Sequence, residues 1–111
     1  MLKTIYYRLY QQTFRIAAYF LGIKSPKTIS GAGSMLKSLE VLEQEGLKNP
    51  LVVTDNGLHN LGLTKPLIDK LEASNMHYAY FYNVVANPTI SNVEVGLRLY
   101  QKCNCDSLIA L

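Results

Sequence analysis

The sequence contains few of the residues that mark several classes of protein. Its 111 residues include two cysteines and no tryptophan, and only 17% of them are charged. Cys103 and Cys105 are one residue apart and cannot join distant parts of a chain, which excludes a small secreted domain held together by disulfides. No hydrophobic run approaches the roughly 18 residues of a membrane span. Because 49% of the residues are apolar, the composition predicts one compact globular domain.

Acidic residues are missing from the first third of the chain. Residues 1–39 carry six lysines and arginines and no acid, whereas residues 40–111 carry eight acids against five bases. From Leu2 to Leu21 the apolar residues recur at helical intervals. The pattern predicts an amphipathic helix and a linker over residues 1–27, followed by a second unit over residues 28–111.

Two interpretations of the basic helix remain open. An acid-free amphipathic helix can lie on an anionic membrane or on a partner, and this one also resembles a mitochondrial presequence. Its polar face is only modestly basic, so we favour a helix that packs on the rest of the chain and expect no membrane partner. Paired disulfides are not predicted and no secretory signal is visible, which favours a cytoplasmic location.

Beyond the linker, short apolar runs alternate with helical stretches. Helices are predicted from Met35 to Glu45 with Gly46 as the C-terminal cap, from Thr64 to Ser74, and after a capping box formed by Ser91 and Glu94. Strands are predicted at 28–30, 51–54, 77–82 and 107–111. Residues 83–88 are predicted to form the loop between the strand 77–82 and the last helix. This alternation predicts an α/β fold with a three-layer, Rossmann-like parallel sheet built from right-handed βαβ crossovers.

Asp55 is the first candidate binding residue. It comes directly after the predicted strand 51–54, at the edge where parallel sheets bind their ligands. A carboxylate at this place can accept hydrogen bonds from both hydroxyls of an adenosine ribose and repels a 2′-phosphate. The spacing supports equally well an Asp55 that caps the next helix or closes an Asx turn with Gly57.

Asn87 is the second candidate, because it also lies between a predicted strand and a predicted helix. The sequence Asn87-Pro88-Thr89 favours a turn in which Thr89 or Ser91 caps the helix. The glycines of Gly31-Ala32-Gly33 lack the third glycine of a dinucleotide-binding fingerprint and are assigned to a turn.

The remaining candidates for chemistry have ordinary explanations. His59 falls in a loop or a short helix and His77 at the start of a strand, and neither has a nucleophile at a suitable spacing. The two cysteines and two histidines do not have the spacing of a metal site, so neither a catalytic nor a metal-binding residue is predicted. The tyrosines of residues 78–82 are expected to pack under helices, and no nucleic acid partner is expected.

Four segments in register resemble the iron-containing alcohol dehydrogenases. They cover residues 28–111 and are Gly31-Ala32-Gly33-Ser34, Pro50 to Asp55 with Gly57 and Gly62, Val84 to Thr89 with Val93 and Gly96, and Cys105 to Leu111. Ala86 stands where relatives usually have proline, which concerns the rigidity of that loop. Glycerol dehydrogenases and dehydroquinate synthases share the architecture, but the Asn-Pro-Thr turn and the last strand favour the alcohol dehydrogenases.

The resemblance implies an NAD- or NADP-dependent interconversion of small alcohols with aldehydes or ketones. It implies that Asp55 contacts the adenosine ribose and that Asn87 lies against the cofactor. The phosphate-binding glycine loop and the ligands for iron or another divalent metal are not among these 111 residues, so the chain alone is expected to be inactive. The last strand is expected to expose an apolar edge, which predicts homo-oligomers or aggregation. The alternative function is a non-enzymatic α/β module that binds a membrane or a partner through its basic helix.

Overall fold

A computed structural model of the chain describes residues 1–22 and 26–111. Its elements are α1 Leu2–Phe20, α2 Ser34–Glu45, β1 Pro50–Asp55, α3 Asn56–Asn60, α4 Lys65–Ala73, β2 Ala79–Val84, α5 Ile90–Lys102 and β3 Ser107–Ala110. Among these residues, no helix has both the length and the apolar character needed to cross a membrane.

The three strands form one parallel sheet in the order β2-β1-β3, which confirms the predicted α/β architecture. The chain crosses from β1 to β2 on one side and then passes back over β1 to β3 on the other. Two crossovers of the same hand that run in opposite directions place their helices on opposite faces of the sheet. The structure shows this arrangement, since α4 and α5 cover different faces.

The alternation of side chains along β1 divides the core into two parts. Val52 packs with Leu39 of α2 and with Leu67 and Leu71 of α4, and all four side chains are almost completely buried. On the opposite face, Leu51 packs with Ala79, Phe81 and Cys105 beneath α5. Gly96 of α5 faces the Phe81 ring, and a Cβ at this position would make an ordinary contact with the ring at 3.4 Å. The sheet therefore has a helical layer on each face.

Several predicted boundaries agree with the structure. α2 ends at Gly46, whose φ of 73° lies in the left-handed region that favours glycine. α4 begins after Thr64 and has Pro66 in its first turn. β1 and β3 lie where the apolar runs 51–54 and 107–111 predict them.

The predicted strand at Thr28 to Ser30 is wrong. This segment has no regular secondary structure. Lys27 and Ile29 line a groove of about 460 Å³, and residues of β3 form another part of its lining. Thr28 and Ser30 are exposed and Ile29 is only half-buried. A segment with only one apolar side chain to bury gains too little free energy from burial to form a strand of the sheet.

The helix and strand around residue 87 also differ from the prediction. α5 begins at Ile90 with Thr89 as its N-cap, so the proposed capping box of Ser91 and Glu94 is wrong and the alternative cap, Thr89, is correct. β2 begins two residues later than predicted, at Ala79, and continues through Val84 into the predicted loop. The extension occurs because Val84 pairs with Asp55 of β1.

α1 does not pack on the rest of the chain. None of its residues is buried, and its large apolar side chains are each more than half exposed. The favoured interpretation of the basic helix as one packed on the body is therefore not what the structure shows.

Candidate functional site at the carboxyl edge of the sheet

The candidate site lies where the parallel strands end. β1 ends at Asp55, β2 at Val84 and β3 at Ala110, and all three ends meet at one edge because every pairing is parallel. The chain leaves β1 for one side of the sheet and reaches β3 on the other, so the strand order reverses beside β1. In open α/β sheets this reversal opens a crevice at the carboxyl edge, in which ligands bind.

Asp55 occupies the end of the central strand, and its side chain is exposed. Its Oδ1 accepts a hydrogen bond of 2.8 Å from the backbone N–H of Leu58, so the carboxylate is the N-cap of α3. The structure thus shows the helix-capping role. This role uses one oxygen, and a carboxylate has a second oxygen, Oδ2, with its own lone pairs. Capping and ligand binding are therefore compatible at this residue.

Gly57 keeps the space beside this carboxylate open. A Cβ at position 57 would lie 3.1 Å from Oδ1 of Asp55, tighter than most real Cβ contacts. A larger residue would press on the carboxylate and turn it from its present direction. The glycine therefore preserves the orientation of Asp55.

A bulge in β2 lies directly beside Asp55. Val53 pairs with Phe81 but Asp55 pairs with Val84, so β2 has one more residue than β1 over this interval. The backbone carbonyl of Asn83, within the bulge, accepts a hydrogen bond of 2.9 Å from the side-chain amide of Asn92. Bulges bend a strand and redirect its side chains, and they occur frequently next to functional sites. No pattern in the residues of β2 predicted this irregularity.

Asn87 lies three residues beyond Val84, in the exposed loop between β2 and α5. Thr89 closes the loop, since its Oγ1 accepts a hydrogen bond of 3.2 Å from the backbone N–H of Asn92. The same Asn92 holds the bulge through its side chain. Asp55 at the end of β1 and Asn87 in the loop after β2 thus lie at one edge of the sheet. Hydrogen bonds of Asn92 hold both ends of the loop that carries Asn87.

His59 takes part in a cluster that the sequence did not predict. Its ring stacks on Tyr82 with a centroid distance of 4.0 Å, and its Nδ1 lies 3.0 Å from the hydroxyl of Tyr80. That hydroxyl also lies 2.6 Å from Oγ1 of the buried Thr64. Tyr80 and Tyr82 are two residues apart and therefore lie on the same face of β2. This spacing is the feature of the sequence from which the cluster could have been predicted. The cluster holds α3 against β2. Tyr80 is half-buried in it, whereas Tyr82 remains 36% exposed, so the prediction that the tyrosines of residues 78–82 pack under helices is met only in part.

A metal site is not formed by the part of the chain that the structure describes. Residues 1–22 and 26–111 contain no group of three or more His, Cys, Asp or Glu side chains arranged to hold an ion. Cys103 and Cys105 are free thiols, and burial raises the pKa of the Cys105 thiol, which favours its neutral form. These residues therefore do not fit a catalytic metal.

The fold and this edge define a parallel α/β domain of the type that binds nucleotides where its strand order reverses. A profile of the iron-containing alcohol dehydrogenases matches residues 25–111, and the chain belongs to that family. This result confirms the resemblance that the four sequence segments indicated.

Individual relatives agree with the family assignment. Alcohol dehydrogenase 4 of Schizosaccharomyces pombe is 33% identical over 81 residues, which are 73% of this chain and 19% of that protein. Lactaldehyde reductase of Escherichia coli K12 is also 33% identical over 81 residues, 73% of this chain and 21% of the relative. The chain thus spans about a fifth of the length of these curated relatives.

A solved structure supports the fold. The crystal structure of a 1,3-propanediol oxidoreductase superposes with a TM-score of 0.64 at 25% sequence identity, covering 76% of this chain and 24% of that one. The described sheet and its helices therefore have the arrangement found in a structure of an alcohol oxidoreductase.

Proposed function

We propose that residues 28–111 belong to a dinucleotide-binding domain and contribute the adenosine-ribose part of a nicotinamide cofactor site in an alcohol dehydrogenase. The complete protein interconverts small alcohols with aldehydes or ketones. Family membership and the alcohol dehydrogenase relatives support this reaction class. The observation that carries the proposal is the exposed carboxylate of Asp55 at the end of the central strand, beside the reversal of strand order.

Asp55 accepts hydrogen bonds from the two ribose hydroxyls in this proposal. Its Oδ1 is oriented by the N–H of Leu58, and Gly57 leaves room beside it. A carboxylate so placed favours NAD over NADP, because it would repel a 2′-phosphate. NAD is accordingly the proposed cofactor, with NADP as the weaker ligand.

Asn87 lies against the same cofactor in this proposal. Its amide can both donate and accept hydrogen bonds, as the mixed polar groups of a dinucleotide require. Support comes from the loop around it, which Asn92 and Thr89 hold beside the end of β2. A fixed loop reduces the ordering that ligand binding costs.

The 111-residue chain alone is proposed to be inactive. Iron or another divalent metal would polarise the alcohol oxygen in the complete enzyme. The described residues supply no set of ligands for such an ion, and the sequence contains no glycine-rich loop to bind a pyrophosphate. Alcohol-dependent reduction of NAD by the purified chain would contradict this proposal.

The ribose contact is tested by Asp55→Asn. Asparagine caps helices about as well as aspartate, so α3 is retained while the negative charge is removed. We expect the affinity for ADP-ribose to fall by roughly tenfold, because hydrogen bonds to a charged group contribute about 1.5–3 kcal/mol. The preference for ADP-ribose over its 2′-phosphorylated form should fall as well. Ligand-observed NMR titration measures both affinities.

Asp69→Asn is the matched control. Asp69 is an exposed aspartate within α4 that pairs with Lys65 and does not follow a strand of the sheet. The control variant should bind ADP-ribose as the unchanged chain does. If Asp55→Asn and Asp69→Asn bind both ligands equally, Asp55 does not contact the ribose.

The free thiols of Cys103 and Cys105 support a reducing cytoplasm as the proposed location. A disulfide between Cys103 or Cys105 of two chains would instead indicate an oxidising compartment. Mass spectrometry of the chain isolated under alkylating conditions should find both cysteines reduced.

A further inference from the structure

The apolar side chains of α1 form an exposed surface. Leu9 and Ile16 are 63% and 58% exposed, and no residue of the helix is buried. Exposed apolar surfaces of this extent usually mark an interaction site, since single exposed residues are common but a continuous stripe is not.

The stripe follows from the helical period. At about 100° per residue, the five aliphatic and aromatic residues at one side of α1 fall within an arc of roughly 60°. Arg8 and Arg15 are seven residues apart and fall together, roughly 100° around the helix from the middle of the aliphatic side. The residues of the aliphatic side are Leu2, Ile5, Leu9, Ile16 and Phe20.

We propose that α1 lies along an anionic lipid surface, with its aliphatic side in the acyl boundary and its arginines at the headgroups. The charge supports lipid as the occupant, because α1 carries three cations, Lys3, Arg8 and Arg15, and no acid. Such a helix combines apolar burial with attraction to anionic lipids.

Tyrosine content distinguishes a lipid interface from a protein core. Four of the eight tyrosines of the chain fall within α1, and each of them is at least 60% exposed. Tyrosine is enriched at membrane–water interfaces, where its ring lies among apolar groups and its hydroxyl contacts water. These residues are Tyr6, Tyr7, Tyr10 and Tyr19.

The ends of α1 indicate that binding and helix formation are coupled. Met1 provides no side-chain cap, and the first turn carries Lys3 but no acid. A cation near the N-terminus opposes the helix dipole, and a helix in a protein gains most of its stability from packing of its apolar face, which α1 does not have here. A lipid surface that covers the aliphatic side therefore stabilises the helix as well as holding it.

Vesicle flotation of the full chain tests the proposal. The chain should float with vesicles that contain phosphatidylserine and phosphatidylcholine, and float much less with phosphatidylcholine alone. Circular dichroism should show increased helicity when the mixed vesicles are added. Raising the salt from about 0.1 to 1 M shortens the screening length from about 10 to 3 Å and should weaken binding to the mixed vesicles.

Matched variants assign the binding to α1. Leu9→Ser with Ile16→Ser should reduce the partition coefficient by about tenfold or more, since two large side chains lose their burial. Leu61→Ser with Ile90→Ser is the control, because this leucine and isoleucine are 74% and 81% exposed on the body of the chain. The control variant should bind vesicles like the unchanged chain.

The role of charge is tested in the same way. Arg8→Gln with Arg15→Gln should reduce the preference for phosphatidylserine, whereas Lys37→Gln with Lys102→Gln, which removes equal charge from exposed positions on the body, should not. Three results would overturn the proposal: no binding to the mixed vesicles, equal binding by the α1 and control variants, or a dimer formed through α1 that does not bind vesicles.

Discussion

Two buried threonines differ in whether their hydroxyls have a partner. Thr64 is 4% exposed, and its Oγ1 lies 2.6 Å from the hydroxyl of Tyr80. Thr54 is 2% exposed, and its Oγ1 has no hydrogen-bond partner among the described residues. A buried hydroxyl without a partner costs free energy that a methyl group in its place does not.

Replacing each threonine by valine should therefore have opposite effects. Thr64→Val removes a hydrogen bond and should lower the free energy of unfolding by about 1 kcal/mol. Thr54→Val removes only an unpaired hydroxyl and should leave that free energy unchanged or raise it by up to about 1 kcal/mol. Urea denaturation of the two variants measures the difference. An equal loss in both variants would mean that Thr54 has a partner in solution.

Asp106 links two loops at the amino edge of the sheet. Its carboxylate accepts hydrogen bonds from the backbone N–H groups of Lys48 at 2.8 Å and Asn49 at 3.0 Å, and from the hydroxyl of Ser107 at 2.9 Å. The bond from Lys48 is the main cause that lowers the pKa of Asp106. The residues it joins are 58 positions apart in the chain, so no local sequence pattern predicts this contact.

Stability should depend on pH through Asp106. A lowered pKa in the folded state means that the carboxylate stabilises the fold above its unfolded pKa of about 3.9, and that this contribution is lost as the pH falls through the lower, folded value. Asp106 is exposed, so solvent screening limits the contribution to about 1 kcal/mol. Asp106→Asn should remove this loss from urea denaturation measured between pH 7 and 3, whereas Asp69→Asn should retain it.

At the scale of the elements, α5 depends on the residue that caps it. Thr89 accepts the hydrogen bond from the N–H of Asn92, whereas Ser91 lies inside the first turn and is exposed. The sequence offered both residues as caps, and spacing alone could not decide between them. The structure identifies Thr89 as the cap. β2 extends to Val84 and α5 begins at Ile90, so five residues connect the two elements and the last of them is Thr89.

Thr89→Ala should lower the free energy of unfolding by about 1 kcal/mol, the usual cost of losing an N-cap. Ser91→Ala should cost nothing, since alanine is a better helix former at an exposed internal position. Thermal denaturation of both variants tests the assignment. If Ser91→Ala were the more destabilising change, the capping box would be correct after all.

Elements with a strong local signal were predictable from the sequence, and those set by distant contacts were not. The run Leu51 to Thr54, the glycine at 46 and Pro66 each specify their structure locally, and the structure confirms them. The bulge of β2 depends on pairing with β1, and the five residues of α3 are held by Asp55 and by the His59 stack. Such contacts cannot be derived from propensity.

At the scale of the whole molecule, β3 forms an open edge of the sheet. Within the described residues β3 pairs only with β1, and Leu108 on it is 57% exposed. The same leucine lines an apolar groove of about 550 Å³ that also contacts α5. An unpaired strand beside an apolar groove favours association between copies.

We expect the chain to associate increasingly as its concentration rises. Leu108→Lys should reduce this association, because a lysine on an edge strand opposes pairing with another chain. Leu61→Lys, at a leucine that is 74% exposed away from the edge, should not. Sedimentation velocity over a range of concentrations distinguishes the two. Unchanged association in Leu108→Lys would exclude this edge as the contact.

The sheet order also explains which part of the site the sequence could predict. The parallel edge, and Asp55 and Asn87 on it, followed from strands alternating with helices. The order β2-β1-β3, which places Asp55 on the central strand, required the structure. The end of a central strand lies between the ends of its two neighbours. Asp55 therefore lies next to the crevice that opens where the strand order reverses.

An NMR titration of the isotope-labelled chain with ADP-ribose tests whether a ribose binds at the carboxyl edge of the sheet. If the ribose binds at the carboxyl edge of the sheet, the backbone amides that shift should belong to residues 55–58, after β1, and 85–89, after β2. Shifts confined to α1 or to the opposite edge of the sheet, around residues 48–49 and 104–107, would contradict it. So would the absence of any shift at ligand concentrations that saturate a weak site.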